Sequence, residues 1–149
     1  EPVYVDEFLG QIVNFSQLRY GAEQPEINLG DILPVYGERT IVYQLFQNLI
    51  GNAIKYSAKV ERPKVKITSE VQHEFICYRI EDNGIGIAKE ELGTIYDSFK
   101  RMSNAGNYEG TGLGLTIVKR IADRLKIKID VQSKLGKGTQ INLLFPNER

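Results

Sequence analysis

The chain has 149 residues, enough for one ordinary domain with a single core. Its 42% hydrophobic and 26% charged residues describe a globular chain, and no apolar run approaches the roughly 20 residues of a membrane span. The 19 basic and 19 acidic residues cancel, which argues against nucleic acid as the main partner, because phosphate-backbone binders carry a visible basic excess.

One cysteine, Cys77, excludes an internal disulfide framework and suits a reducing compartment. With His73 as the only histidine, a zinc site is improbable. No signal peptide opens the chain. The expectation is a single domain over 1–149, cytoplasmic, without direct membrane contact.

In chain order, Asp6 can cap a first helix that buries Phe8, Leu9, Ile12, Val13 and Leu18. A loop over Gly21 to Glu26 leads to an edge strand through Ile27, Leu29 and Ile32-Leu33, closed by Pro34. Tyr36-Gly37 turns the chain into a central helix ending near Ser57. Its apolar residues Ile41, Val42, Leu45, Phe46, Leu49, Ile50, Ala53 and Ile54 are pairs stepped by four, the period of one buried face. Val65 with Ile67, and Phe75, Tyr78 and Ile80, predict two strands joined by a hairpin over Glu70 to Glu74. Cys77 on the second is expected to be buried and inert.

A loop over Asp82 to Gly86 and a short helical stretch over Ala88 to Lys100, broken by Gly93, follow. Met102 to Gly110 is small and polar, so mobility is expected. A second long helix opens at Thr111 or Gly112, with Leu115, Ile117, Val118, Ile121, Ala122 and Leu125 inward. Ile127, Ile129 and Val131 alternate as a strand. Gly136 to Gly138 turns it into a last strand, Ile141, Leu143, Phe145, ended by Pro146. The sum is an α+β two-layer sandwich, a mostly antiparallel sheet with helices on one face.

Beside the apolar face of the central helix runs a second stripe, Gln44, Asn48, Asn52, then Lys55 and Tyr56. Residues four apart on a helix lie one above the other. A solvated polar face explains such a stripe. So does a ligand set for a metal-bound polyphosphate, since an amide oxygen is a hard, neutral ligand suited to Mg2+. The loop Asp82-Asn83-Gly84-Ile85-Gly86 is a strong turn signal. It also places an acceptor-only carboxylate at a strand end, able to receive the exocyclic amine of adenine, with glycines that admit a flat base. Gly110-Thr111-Gly112-Leu113-Gly114-Leu115 is neither a P-loop nor a dinucleotide fingerprint. It opens into a helix, whose amino end is a phosphate site.

Taken in order, NLIGNAIKYS, DNGIGI, SFKRM, GTGLGL and GKGT closely resemble the N, G1, F, G2 and G3 boxes of the catalytic ATP-binding domain of sensor histidine kinases. These belong to the GHKL superfamily, with its Bergerat nucleotide-binding fold. The resemblance runs from about Gly37 to Pro146. It implies that Asp82 holds the adenine amine, that Gly84 and Gly86 shape the pocket floor and that Thr139 assists on the base side. Asn52 would coordinate Mg2+, with Asn48 close by it and the phosphates. Lys55 and Tyr56 would touch the phosphates or sugar. Gly110, Thr111, Gly112, Leu113, Gly114 and Leu115 would cradle the phosphates. Phe99 would anchor a lid whose tip is Met102 to Glu109, and Arg101 or Lys100 would reach the γ-phosphate. The cofactors implied are ATP and Mg2+.

The sequence departs from the superfamily's ATP-hydrolysing members at Asn48. Gyrase and the heat-shock chaperone carry there a Glu that activates water. An amide cannot act as a base at neutral pH, which points toward transfer rather than hydrolysis. The resemblance implies that the phosphoacceptor domain lies outside these 149 residues; His73 precedes Glu74 as an acceptor histidine would, but lies in a predicted hairpin. The implied activity is donation of the γ-phosphoryl to a histidine on a separate dimerisation and phosphotransfer domain. The implied downstream partner is a response regulator receiver domain. An ATP-driven conformational machine is the competing reading.

Overall fold

The central helix organises what surrounds it. In a computed structural model, which describes residues 2–20, 26–57, 60–88 and 115–147, helix α2 spans Arg39–Ser57. Its Val42, Leu45, Phe46, Leu49, Ile50, Ala53 and Ile54 are buried, the apolar stripe read from the sequence. Helix α1 (Asp6–Tyr20) packs along it, and helix α3 (Leu115–Leu125) closes the other side with Val118, Ile121 and Ala122.

Seven strands occur among the described residues: β1 (Pro2–Val3), β2 (Glu26–Leu29), β3 (Val35–Tyr36), β4 (Lys64–Gln72), β5 (Phe75–Asp82), β6 (Lys128–Lys134) and β7 (Gly138–Pro146). Five form one sheet in the order β2-β4-β5-β7-β6. Only β2–β4 is parallel. Alternate residues along each strand face the helices, as a half-covered sheet requires. Val65, Ile67, Tyr78, Ile80, Ile141, Leu143 and Phe145 join α1, α2 and α3 in one buried cluster. Its aromatic centre is Phe46, stacked at 6.1 Å on Phe145 and edge-on to Tyr78 at 5.0 Å. The opposite face is polar: Arg79 Nε donates to Asn142 Oδ1 at 3.2 Å across β5–β7. This is the expected α+β two-layer sandwich.

Three local expectations are corrected, and one strand pairing is new. The first intrahelical bond of α1 runs from Leu9 N–H to the Val5 carbonyl at 3.2 Å, so Asp6 lies inside the first turn. There it meets the positive helix end without capping it. The hairpin is tighter than Glu70 to Glu74, because β4 runs to Gln72 and only His73-Glu74 turn, with His73 at φ +57°. The edge strand stops at Leu29. Its continuation peels away because side chains take over the ladder's bonds: Ser69 Oγ accepts from Leu33 N–H at 2.8 Å and donates to the Asp31 carbonyl at 2.7 Å, while Tyr78 Oη donates to the Leu33 carbonyl. The chain then returns as β3 to pair with β1, a two-stranded sheet the sequence did not reveal.

Candidate functional site

One row of residues at an end of the sheet holds the predicted base-side site. Asp82 ends β5, and its register partner on β7 is Thr139. Thr139 is in turn opposite Ser133 on β6. All three continue the helix-facing alternation set by Ile80, Ile141 and Val131.

Asp82 is held by backbone. Its Oδ1 accepts from Gly84 N–H at 2.8 Å, and the Thr139 N–H also bonds to the carboxylate. Burial nevertheless dominates and pushes the Asp82 carboxyl from its ordinary 3.8 up to about 6, against the pull of those two donors. A desolvated acceptor near neutrality at a sheet end is a pattern of functional sites.

The glycines are there because backbones meet. A Cβ on Gly84 would stand 2.8 Å from both C and O of Tyr56, so the loop after β5 lies against the last turn of α2. Gly86 has φ +73°, and a Cβ there would stand 2.1 Å from the Lys134 carbonyl. The same loop accepts at the Ile85 carbonyl from Gly136 N–H at 2.8 Å. It is thus clamped between the end of α2 and the β6–β7 turn. Gly138, at φ +131°, lets β7 start hard against the Asp82 carbonyl, where a Cβ would stand at 2.0 Å. Only glycine fits these three contacts.

Asn52 and Tyr56 are half-buried and Lys55 is exposed, one turn apart on the last two turns of α2. The Lys55 ammonium lies 5.6 Å from the Tyr56 ring centre. Asn48 Nδ2 donates to the Gln44 carbonyl at 2.9 Å. That bond uses one donor of the carboxamide and leaves its oxygen available as an acceptor. No side-chain hydrogen bond of Asn52 occurs among the described residues. Gln44 lies elsewhere: with Ile41, Arg120, Ile121 and Arg124 it lines an open cavity of about 210 Å³ between α2 and α3.

Thus Asp82, Gly84, Gly86 and Thr139 come together, and the Gly84 contact joins them to the turn of α2 bearing Asn52, Lys55 and Tyr56. Phe99, Lys100, Arg101, the segment Met102 to Glu109, and Gly110, Thr111, Gly112, Leu113 and Gly114 lie outside the described residues. So do residues 89–100 of the predicted helical stretch and the predicted opening of α3. Leu115 is described only as the first residue of α3.

Two residues escaped the sequence reading. Ser133 Oγ accepts from Ile87 N–H at 2.8 Å, donates to the Gly138 carbonyl at 2.9 Å and lies 2.8 Å from Thr139 Oγ1. A polar residue in phase with inward Ile129 and Val131 was the available signal. Asn83 ties the loop to the entry of β4, accepting from Lys64 N–H at 2.7 Å and donating to the Arg62 carbonyl at 3.0 Å. Its partners are about twenty residues away, so nothing local announced it.

A buried carboxylate beside glycine-borne backbone, with two carboxamides on the adjoining helix, makes up the described part of the candidate site. The chain belongs to the family described as "Histidine kinase-, DNA gyrase B-, and HSP90-like ATPase", whose model matches residues 37–149. It is 34% identical over 121 residues to the phytochrome-like protein Cph1 of Synechocystis sp., covering 81% of this chain and 16% of that protein. It is 36% identical over 118 residues to the sensor histidine kinase YkoH of Bacillus subtilis, covering 78% of this chain and 25% of that one. The chain therefore spans a quarter or less of these relatives. Its fold is similar to the catalytic domain of histidine kinase ThkA, with a TM-score of 0.75 at 24% identity, over 99% of this chain and 97% of the other. No helix among the described residues is long and apolar enough to cross a membrane.

Proposed function

We propose that this chain is the catalytic ATP-binding domain of a sensor histidine kinase. It binds Mg-ATP and presents the γ-phosphoryl to a histidine on a separate helical domain of its parent, which then passes it to a response regulator. The observation that carries this is the Asp82 carboxylate, buried enough to be raised to about 6 yet held by two backbone donors. Its remaining lone pairs suit an amine, and adenine carries one where guanine does not.

The residues fit the nucleotide and its metal. Gly84, Gly86 and Gly138 tolerate no Cβ and hold backbone close around Asp82. Asn48, with its Nδ2 bonded to the Gln44 carbonyl, keeps its amide oxygen for a ligand, and Asn52 supplies a second neutral oxygen of the kind Mg2+ accepts. Asn52 would hold the ion, with Asn48 beside it. When bound, Mg2+ neutralises charge on the phosphates. Lys55 and Tyr56 orient the phosphates or sugar. Lys100, Arg101 and the stretch Gly110 to Leu115 complete the phosphate grip in this proposal. In the transfer, an imidazole nitrogen bonds to phosphorus as the bond to the ADP oxygen breaks. This chain contributes positioning and charge, and any general base stands beside the acceptor histidine. Asn48 cannot take a proton from water, which disfavours a hydrolytic machine.

The test is titration with a non-hydrolysable ATP analogue, with and without Mg2+. Asp82→Ala should lose as much as about 10⁴-fold in affinity, as sites built around a specific hydrogen bond do. Unchanged binding would refute the assignment. Mixing with the parent's helical domain should then yield acid-labile phosphate on that domain, with little free phosphate from this chain alone.

A further inference from the structure

Ser133 belongs to no motif of the nucleotide site, yet three bonds converge on its hydroxyl. A serine oxygen has one proton and two lone pairs. The Gly138 carbonyl, at 2.9 Å, can only accept, so it takes the proton. The Ile87 N–H, at 2.8 Å, can only donate, so it takes one lone pair. The second lone pair faces Thr139 Oγ1 at 2.8 Å. One arrangement satisfies all three contacts, and in it the Thr139 hydroxyl spends its only proton on Ser133. What Thr139 has left to offer a ligand is lone pairs.

Thr139 stands directly across the sheet from Asp82, which when ionised is likewise acceptor-only. Two acceptors therefore sit side by side at the end of β5 and β7. A 6-amino group supplies two N–H donors to such a pair. A 6-oxo group brings lone pairs against lone pairs. A bridging water that donates to both residues and turns its own oxygen toward the 6-position accepts from an amino N–H and opposes an oxo oxygen, so at that position the preference has the same sign.

We propose that Ser133 is a positioning residue that fixes the Thr139 hydroxyl as an acceptor, and so sets discrimination between 6-amino and 6-oxo purine nucleotides. The inference rests on the reading of Asp82 and Thr139 as the base subsite. It assigns a specificity role to β6, a strand outside the helix stripe and the glycine loops.

The experiment compares ATP with inosine triphosphate by calorimetry on the wild type, Ser133→Ala, Ser133→Cys and Ser133→Thr, each with its melting temperature. Freed from Ser133, the Thr139 hydroxyl can rotate and donate to an oxo group. Ser133→Ala should then narrow the ATP preference by about tenfold, the cost of one mismatched buried polar contact. Ser133→Cys keeps the shape with a poor acceptor and should do the same should the alanine variant fail to fold. Ser133→Thr, which restores the hydroxyl, should recover the wild-type ratio. Equal weakening of both nucleotides, with the ratio intact, would overturn the proposal and leave Ser133 as a brace. If instead Asp82→Ala binds ATP as the wild type does, the base subsite itself is misassigned, an outcome separate from the first.

Discussion

At Asp82, burial and the proposed role in base binding pull in opposite directions. Its folded carboxyl titrates near 6, above the ordinary 3.8. Between those values the folded chain holds a proton that the unfolded chain has released, so the free protein loses stability as pH rises through that window. Asp82→Asn removes the buried charge while keeping an oxygen for the Gly84 and Thr139 donors. It should stabilise the free protein at pH 7 by about 1–3 kcal/mol, read from urea unfolding. The same variant should lose the nucleotide, because an amide no longer offers only acceptors. On the proposal that the ionised form of Asp82 binds the base, ATP affinity should fall as pH drops below about 6, by roughly tenfold at pH 5 relative to pH 7. Inorganic triphosphate, titrated in parallel, gives the share that belongs to phosphate protonation. A flat difference between the two curves would mean that Asp82 does not touch the base.

Among the elements, legibility followed the range of the interactions. Helix α2 was readable to its apolar face because a period of 3.6 is a local property, and the strands β4 to β7 were readable from alternation. The Asp82 and glycine positions stood out because turn chemistry is local too. What was missed depends on partners far along the chain. Gly30 to Pro34 carries strand-like residues, but Ser69 and Tyr78 capture its backbone at separations of 36 to 45 residues. The pairing of β1 with β3 is likewise non-local. Asn83, whose partners lie about twenty residues away, was missed for this reason, whereas Ser133 left a local signal in its phase with Ile129 and Val131. Ser69 is buried and satisfies one donor and one acceptor of the 31–33 backbone. Ser69→Ala should therefore cost about 2 kcal/mol of stability, the penalty of stranding buried polar groups. Hydrogen exchange should quicken at Leu33 N–H while that of α2 follows only the global loss. An unchanged urea midpoint would mean that water replaces the hydroxyl freely.

Across the whole molecule, the contacts that tie helix to helix at the surface are weak. Arg124 grips Glu38 at 2.9 and 3.0 Å, and Arg39 meets Glu7 at 3.0 Å, but all four side chains are more than half exposed. Such pairs contribute below about 1 kcal/mol each and fade with salt. The shared apolar cluster holds α1, α2 and α3 to the sheet, so 1 M salt should hardly move the melting temperature through these pairs. A nucleotide acts differently. It would touch the end of α2, the loop after β5 and the start of β7, three segments that meet only in the folded chain. The unfolded chain offers no such convergence, so ligand binding adds directly to stability. At a free concentration of one hundred times Kd the gain is about 2.7 kcal/mol. For a domain of this size that corresponds to a rise of roughly 5–10 °C in Tm. The rise should shrink when EDTA removes Mg2+ and vanish in Asp82→Ala, with the salt insensitivity unchanged in both. A melting temperature indifferent to Mg-ATP at saturating concentration would mean that these segments do not grip a nucleotide together, whatever their individual geometry.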